Sequence, residues 1–364
     1  MKFIHFNDIR IGNSSESGTP WESDRRLELE DGFVRIIRES ERYGADLVLI
    51  AGGLFSHVPT TAELDKMKAQ FSRFPERQFV IIAGETEPVR RSSPLLSYAW
   101  PENVHYVTGG QVQRIVFENL HTEVYAASVT EDGSASIQDF AEAVRKGAEA
   151  EDAMPVRIAV LRSGDDSEIA DGLSGIGLSY VAVGSDRPGS RIISAIAHCP
   201  GYFEPDSMGD NGTHGILEGE ISDRFGVLEK IEFKPMAAAS YIPLRISVSP
   251  DTTAEEIQKL VSREIEKRGV ANIYRLKITG TREPDADLSI GELKRKYRIS
   301  EVIDETEPGY DYQALFAEHP QDMIGFYISR IVSDKKEMSA VEKRAMYYGL
   351  DALLHSMGKQ EVSR

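Results

Sequence analysis

The apolar run Asp46-Leu47-Val48-Leu49-Ile50-Ala51 closes on Gly52-Gly53, and that junction narrows the folds open to this chain. A short Leu/Val/Ile run bounded by glycines reads as a strand covered on both faces. Such strands belong to layered α/β sheets, which gather their chemistry at one sheet edge. The pattern recurs. Lys2–Phe6 runs into Asn7-Asp8-Ile9-Arg10-Ile11-Gly12, and Gln78–Ala83 into Gly84-Glu85-Thr86-Glu87. Val156–Leu161 ends in Arg162-Ser163-Gly164-Asp165, and Leu178–Val183 in Gly184-Ser185-Asp186-Arg187-Pro188. These strand ends are expected to converge on one place.

Between them, Leu27, Phe33, Ile36 and Ile37 recur at helical spacing from Asp24 to Tyr43, and Leu64, Met67 and Phe71 do so from Thr60 to Phe74. Further strands are expected at Val104–Val107, Val112–Phe117 and Glu123–Ala127, and from Arg191, Thr213 and Gly226, with a helix over Ile137–Ala148. Past Pro235 the pattern changes. Tyr241–Val248 alternates as a strand, and Thr252 with Glu255 offers a capping box to a helix bearing Ile257, Leu260, Val261 and Ile265. Tyr274–Ile278 returns as a strand. A charged segment at 291–298 and the turn Glu307-Pro308-Gly309-Tyr310 then lead to helical patterns at 311–332 and 338–357. The expected domains are 1–235, a small α+β cap at 240–310 and a helical segment at 311–364. At 364 residues one core is outgrown.

Forty-two Lys+Arg against 59 Asp+Glu give a net charge of -17, which argues against a surface attracting nucleic acid everywhere. Cys199 is the single cysteine, so a disulfide framework and a thiolate metal cluster are excluded. The start goes directly into a strand pattern and no apolar run approaches the ~20 residues of a membrane span. A cytoplasmic protein without membrane attachment is expected.

Several segments in order carry a family resemblance: Phe3-Ile4-His5 leading to Asp8, Asp46 to Phe55, and Val80-Ile81-Ile82-Ala83-Gly84. Tyr180-Val181-Ala182-Val183-Gly184, Pro200-Gly201-Tyr202-Phe203-Glu204-Pro205 continuing to His214-Gly215, and Tyr347-Tyr348-Gly349-Leu350 extend it almost end to end. The chain resembles the SbcD-type nuclease subunits of the SbcC–SbcD DNA-repair complex, within the calcineurin-like metallophosphoesterases. The resemblance implies a four-layer sandwich of two mixed β-sheets flanked by helices, with a small α+β cap and C-terminal helices. It also implies two manganese ions, a coiled-coil ATPase partner of the SbcC type, DNA ends as ligand, and a homodimer.

The departures fall where that family holds its metals. The first motif, Asp-x-His, is Asp8 followed by Arg10, and the bridging aspartate is Gly53. Gly-Asn-His-Asp has become Gly84-Glu85-Thr86-Glu87. An isolated histidine is Arg162, and Gly-His-x-His is Gly184-Ser185-Asp186-Arg187. A two-metal site needs a bridging carboxylate to hold cations roughly 3.5–4 Å apart. Arginine cannot deprotonate to become a ligand. Asp8 is a weak metal candidate, and no cofactor is expected.

Arg10, Arg162 and Arg187 are therefore expected to pair with Asp8, Glu85 and Glu87, with phosphate binding by the three arginines as the competing reading. The functional expectation is a pseudonuclease scaffold of DNA-end processing. Its alternatives are an active manganese-dependent exonuclease and a structural or regulatory subunit that binds no DNA. His5, His198 and His214 are read as structural, and Tyr98 and Trp100 as packing residues. A solvated helix face is preferred to a nucleic-acid contact for Lys294-Arg295-Lys296-Tyr297-Arg298.

Overall fold

The computed structural model describes residues 1–13, 16–210, 212–284, 290–332 and 339–361. In chain order its first strands and helices are β1 (Lys2–Phe6), α1 (Glu22–Tyr43), β2 (Leu47–Ala51), α2 (Thr61–Phe71), β3 (Gln78–Ile82) and β4 (Val104–Val107). β5 (Gln113–Phe117), β6 (Thr122–Ala126), α3 (Ile137–Ala148), β7 (Val156–Arg162), α4 (Asp166–Gly172) and β8 (Tyr180–Gly184) follow. Next come β9 (Arg191–Ile192), β10 (Ala197–Cys199), β11 (Gly215–Ile221), β12 (Leu228–Pro235), β13 (Tyr241–Val248), α5 (Ala254–Arg268) and β14 (Ile273–Arg282). The last are α6 (Ile290–Lys296), β15 (Ile299–Pro308), α7 (Tyr312–Glu318), α8 (Met323–Val332) and α9 (Ala340–Glu361).

The chain divides into two compact units, Met1–Ile242 with Ala271–Ile273, and Pro243–Val270 with Tyr274–Arg364. The first unit holds two six-stranded mixed sheets, ordered β12-β11-β1-β2-β3-β4 and β5-β6-β7-β8-β10-β9. β1 to β4 are mutually parallel, as are β6, β7, β8 and β10; at the margins β11 pairs antiparallel with both β1 and β12, β5 with β6, and β9 with β10. Alternation of side chains explains the layers. On β1 and β2, Ile4, Phe6, Val48 and Ile50 pack with Phe33, Ile36 and Leu64 of the helices. Phe3, Leu47, Leu49 and Val80 face Val124, Ile158, Val160 and Tyr180 of the second sheet. Ala159, Leu161 and Val183 pack with Phe140, Val144 and Ile169 on the far side. Truncating such a position to alanine, Leu49 for instance, costs roughly 2–5 kcal/mol.

The second unit contains the three-stranded sheet β13-β14-β15 and a helical core of Ile324, Ile328, Met346 and Leu350. Here the expectations need correction. The helix α5 is capped by Thr253 with Glu256 and not by Thr252 with Glu255, because the Thr252 hydroxyl is taken by the Ser249 amide. The charged segment at 291–298 largely forms α6, and residues 299–308, where no element was expected ahead of the turn at 307–310, form the ten-residue strand β15, paired in parallel with β14. Its acidic residues hid it: Glu301 and Glu305 face Arg275 and Lys277 across the pair at 2.5 and 2.7 Å, so its charges are cross-strand partners. The helical pattern at 311–332 resolves into α7 and α8, and the helix α4 was not anticipated at all. Part of the 338–357 pattern and the 285–289 connection lie outside the described residues. No helix among the described residues is long and apolar enough to cross a membrane.

Candidate functional site

The ends of β1 and β2 are laced together by their backbones. Asp8 N donates to Gly52 O at 3.0 Å, Arg10 N to Gly53 O at 2.9 Å and Ile11 N to Leu54 O at 2.9 Å. This lacing holds Asp8 and Arg10 at φ 50° and 53°, a left-handed region that non-glycine residues seldom occupy and that costs about 1–3 kcal/mol each. Gly53 sits opposite at φ 69°. A Cβ at Gly53 would lie 2.3 Å from Asp8 Oδ1 and 2.7 Å from Asp8 Cα. The backbone therefore has no room for the aspartate that the resemblance would place there.

Arg162, at the end of β7, fills the adjacent space. Its Nη1 donates to Asp8 Oδ2 at 2.8 Å and to Ala51 O at 3.1 Å, and its Nη2 meets Glu85. The side chain is 2 % exposed, and Nε has no partner among the described residues. Burial works against the guanidinium charge, but Asp8 and Glu85 outweigh it and hold Arg162 protonated above its ordinary range. Asp8 is fully buried as well and receives a third donor from Asn7 Nδ2 at 2.7 Å.

Arg10 closes the outer side. Nε reaches Asp8 at 3.3 Å, Nη1 reaches Asp206 at 3.0 Å and Nη2 reaches Asp186 at 2.7 Å. Its guanidinium lies 3.9 Å from the ring centre of Tyr202, whose hydroxyl donates to Asp186 at 2.6 Å. Against the burial penalty, Asp8, Tyr202 and Asp206 raise the Arg10 pKa. Every nitrogen of Arg10 is thus engaged internally, which leaves it little to offer a phosphate.

Glu87 belongs to the same edge but does not pair directly with an arginine. Its Oε1 accepts from the amides of Leu54 and Gly84 at 3.0 and 3.1 Å, and its Oε2 lies 2.6 Å from Thr86 Oγ1. Thr86 Oγ1 is also 2.7 Å from Phe55 O, yet it has one proton to give. The chain of contacts closes if Glu87 is protonated, donating to Thr86 while Thr86 donates to Phe55 O. Burial indeed raises the Glu87 pKa, against the opposing pull of Thr86 and Arg162. A raised folded-state pKa gives stability that is full below the unfolded value and lost as pH rises through the folded one. Glu87→Gln, which can make the same contacts, should therefore stabilise the protein near neutral pH and do so only a little near pH 4. Urea melts of both chains at the two pH values test this; no gain at neutral pH would mean that Glu87 is ionised there.

The remaining expected positions lie farther out. Ser185 is buried and accepts from Arg191 Nη2 at 2.8 Å, with Cys199 Sγ at 3.6 Å. Arg187 does not join Asp8, Glu85 and Glu87 as expected. It is half exposed and reaches Asp166 at 3.7 Å, because α4 presents that carboxylate nearer to its turn. Asp186 and Asp206, absent from the expected set, supply counter-charges to Arg10, and Tyr202, also absent from it, packs its ring on the guanidinium. Asp186 could have been noticed as the neighbour of Ser185; Asp206 gave no signal beyond following the loop that ends at Pro205.

The histidines are structural in their contacts. His5 Nδ1 lies 2.9 Å from Tyr180 Oη, the Tyr180 ring stacks on His198 with centroids 5.8 Å apart, and both nitrogens of His214 face carbonyl oxygens. Burial, then proximity to His198, pushes the His5 pKa down to about 3. The unfolded chain takes up that proton near pH 6.5 and the folded chain does not, so stability is lost as pH falls from 6.5 towards 3. From His5 alone, lowering the pH from 6.5 to 5 should cost about 2 kcal/mol. Equilibrium unfolding at both pH values checks it, and His5→Phe should flatten the slope; an unchanged slope would contradict the assignment.

The aromatics beyond the site are packed. Trp100 stacks on Tyr106 with centroids 5.7 Å apart, Tyr98 lies against Trp100, and Trp21 is buried. Tyr297, inside the basic stretch 294–298, is buried with its hydroxyl on Glu266 at 2.9 Å.

Manganese does not fit the residues present. Among the described residues no group of three His, Cys, Asp or Glu side chains is arranged to hold a metal ion. Asp8, the one retained ligand type, has both oxygens committed to nitrogen donors. Compared with known proteins, the chain matches no family model and no curated sequence.

Proposed function

We propose that this chain is a catalytically silent SbcD-like scaffold of DNA-end processing, built on a calcineurin-like metallophosphoesterase sandwich and serving an SbcC-like coiled-coil ATPase. One observation supports the reading above others. The positions that the resemblance assigns to metal ligands, 8, 53, 85 and 162, come together from strand ends of the two sheets, where a guanidinium bonded to Asp8 and Glu85 stands in the space. A scaffold needs the fold and its partner surface but not the ions. On this reading the protein forms a homodimer.

The C-terminal helices are the proposed partner surface. Val341 and Tyr348, about two turns apart on α9, are 78 % and 76 % exposed, while Met346 and Leu350 close the unit's own core. Removing residues 336–364 would empty that core, so Val341→Glu with Tyr348→Glu is the cleaner test. The paired substitution should abolish co-purification with an SbcC-like ATPase and leave the melting temperature within a few degrees of the parent. Unchanged co-purification would overturn the partner assignment.

A reading without DNA binding at this edge is also favoured by a particular feature. Glu85 and Asp186 stand at the rim with side chains 51 % and 69 % exposed, and a phosphate backbone is repelled by such a mouth. Fluorescence anisotropy of a labelled duplex should show no binding that depends on Arg187. A clear loss of duplex affinity in Arg187→Ala would favour the phosphate-binding reading instead.

A further inference from the structure

Arg162 lies over two adjoining glycine turns. A Cβ on Gly52 would fall 2.5 Å from Arg162 Cδ and 3.0 Å from Nη1, and a Cβ on Gly84 would fall 3.2 Å from both Cζ and Nε. Gly52 and Gly84, whose turns touch each other, carry no side chains and so leave a slot over them that the Arg162 guanidinium fills. Its floor and end are acceptors: Asp8 Oδ2 and Ala51 O for Nη1, and the Glu85 carboxylate for Nη2. Nε, buried and without a partner among the described residues, is the one donor of the group that the slot does not serve. One carboxylate for Nη1 and another for Nη2 match a planar forked cation better than a spherical one.

We propose that this slot is a guanidinium-binding site in its own right, filled from within by Arg162, and that the recognition resides in Gly52, Gly84, Asp8 and Glu85 and not in the arginine's covalent tether. The inference stands on the slot's shape and acceptors and does not require the scaffold function. Its ligand class is a planar monovalent guanidinium cation, which replaces the divalent ions that the retained Asp8 would otherwise suggest. Emptied of its own side chain, the slot should take the free ion.

The test is chemical rescue. Arg162→Ala would be melted in rising guanidinium chloride up to about 50 mM, far below denaturing concentrations, with sodium chloride, urea and manganese chloride as matched controls. Guanidinium should raise the variant's melting temperature by several degrees, as a ligand present in excess over its Kd must. It should leave the parent chain unmoved, and Asp8→Asn in the same background should remove the rescue. If Arg162→Ala is recovered unfolded, refolding yield with and without guanidinium reads the same binding. No rescue in either form overturns the proposal, as does equal response of the parent. Rescue by manganese in place of guanidinium would also overturn it, showing a site for a divalent ion.

Discussion

Arg162→Ala should lower the unfolding free energy by about 3–5 kcal/mol, the range for removing one partner from a desolvated ion pair. Both Arg162 and Asp8 are buried, and Asp8 would keep Arg10 Nε at 3.3 Å and Asn7 as its charge-stabilising neighbours. Those contacts do not replace a 2.8 Å charge-assisted bond in the same enclosure. Urea unfolding monitored by circular dichroism reads the loss directly. A change below ~1 kcal/mol is what an exposed pair would give, and it would mean that the edge is open to water.

Gly53→Asp is expected to be comparably damaging and not to create a metal site. The new Cβ would be placed 2.3 Å from Asp8 Oδ1, at a φ of 69° that aspartate adopts only with strain. A second carboxylate would also be pressed against a buried first one, with like-charge repulsion at low local dielectric. Together these terms should cost at least ~3 kcal/mol, or force the turn at Gly52-Gly53 to rebuild. Placing a carboxylate at position 53 alone therefore fails: Gly53 faces Asp8, and Asp8 is itself held by Arg162. A Gly53→Asp protein with parental stability and a tightly bound manganese ion would show that the slot is not filled as described.

The sheet strands were legible because burial on both faces leaves continuous apolar runs, as in Leu47–Ala51 and Tyr180–Gly184. The convergence of their ends was legible for the same reason, and Asp8, Arg162 and Glu85 do meet. β15 was not legible, because a strand paired at one margin may carry charge at every other position and so loses the apolar signature. Nor could the sequence pair Arg10 with Asp206 or Arg187 with Asp166, since long flexible side chains choose among several nearby carboxylates and only the local backbone decides. Glu87 looked like another member of an ion-pair set. In the folded chain it accepts two backbone amides and shares a proton with the Thr86 hydroxyl in a closed pocket, a role invisible in its residue type.

The filling of the edge by Arg162 is tested most directly by metal content. The purified chain would be equilibrated with excess manganese, passed through a desalting column and analysed for metal by inductively coupled plasma mass spectrometry. The guanidinium-filled slot predicts far less than one manganese per chain, with Arg162 and Asp8 still paired. About two manganese ions per chain, lost on Asp8→Ala, would contradict it.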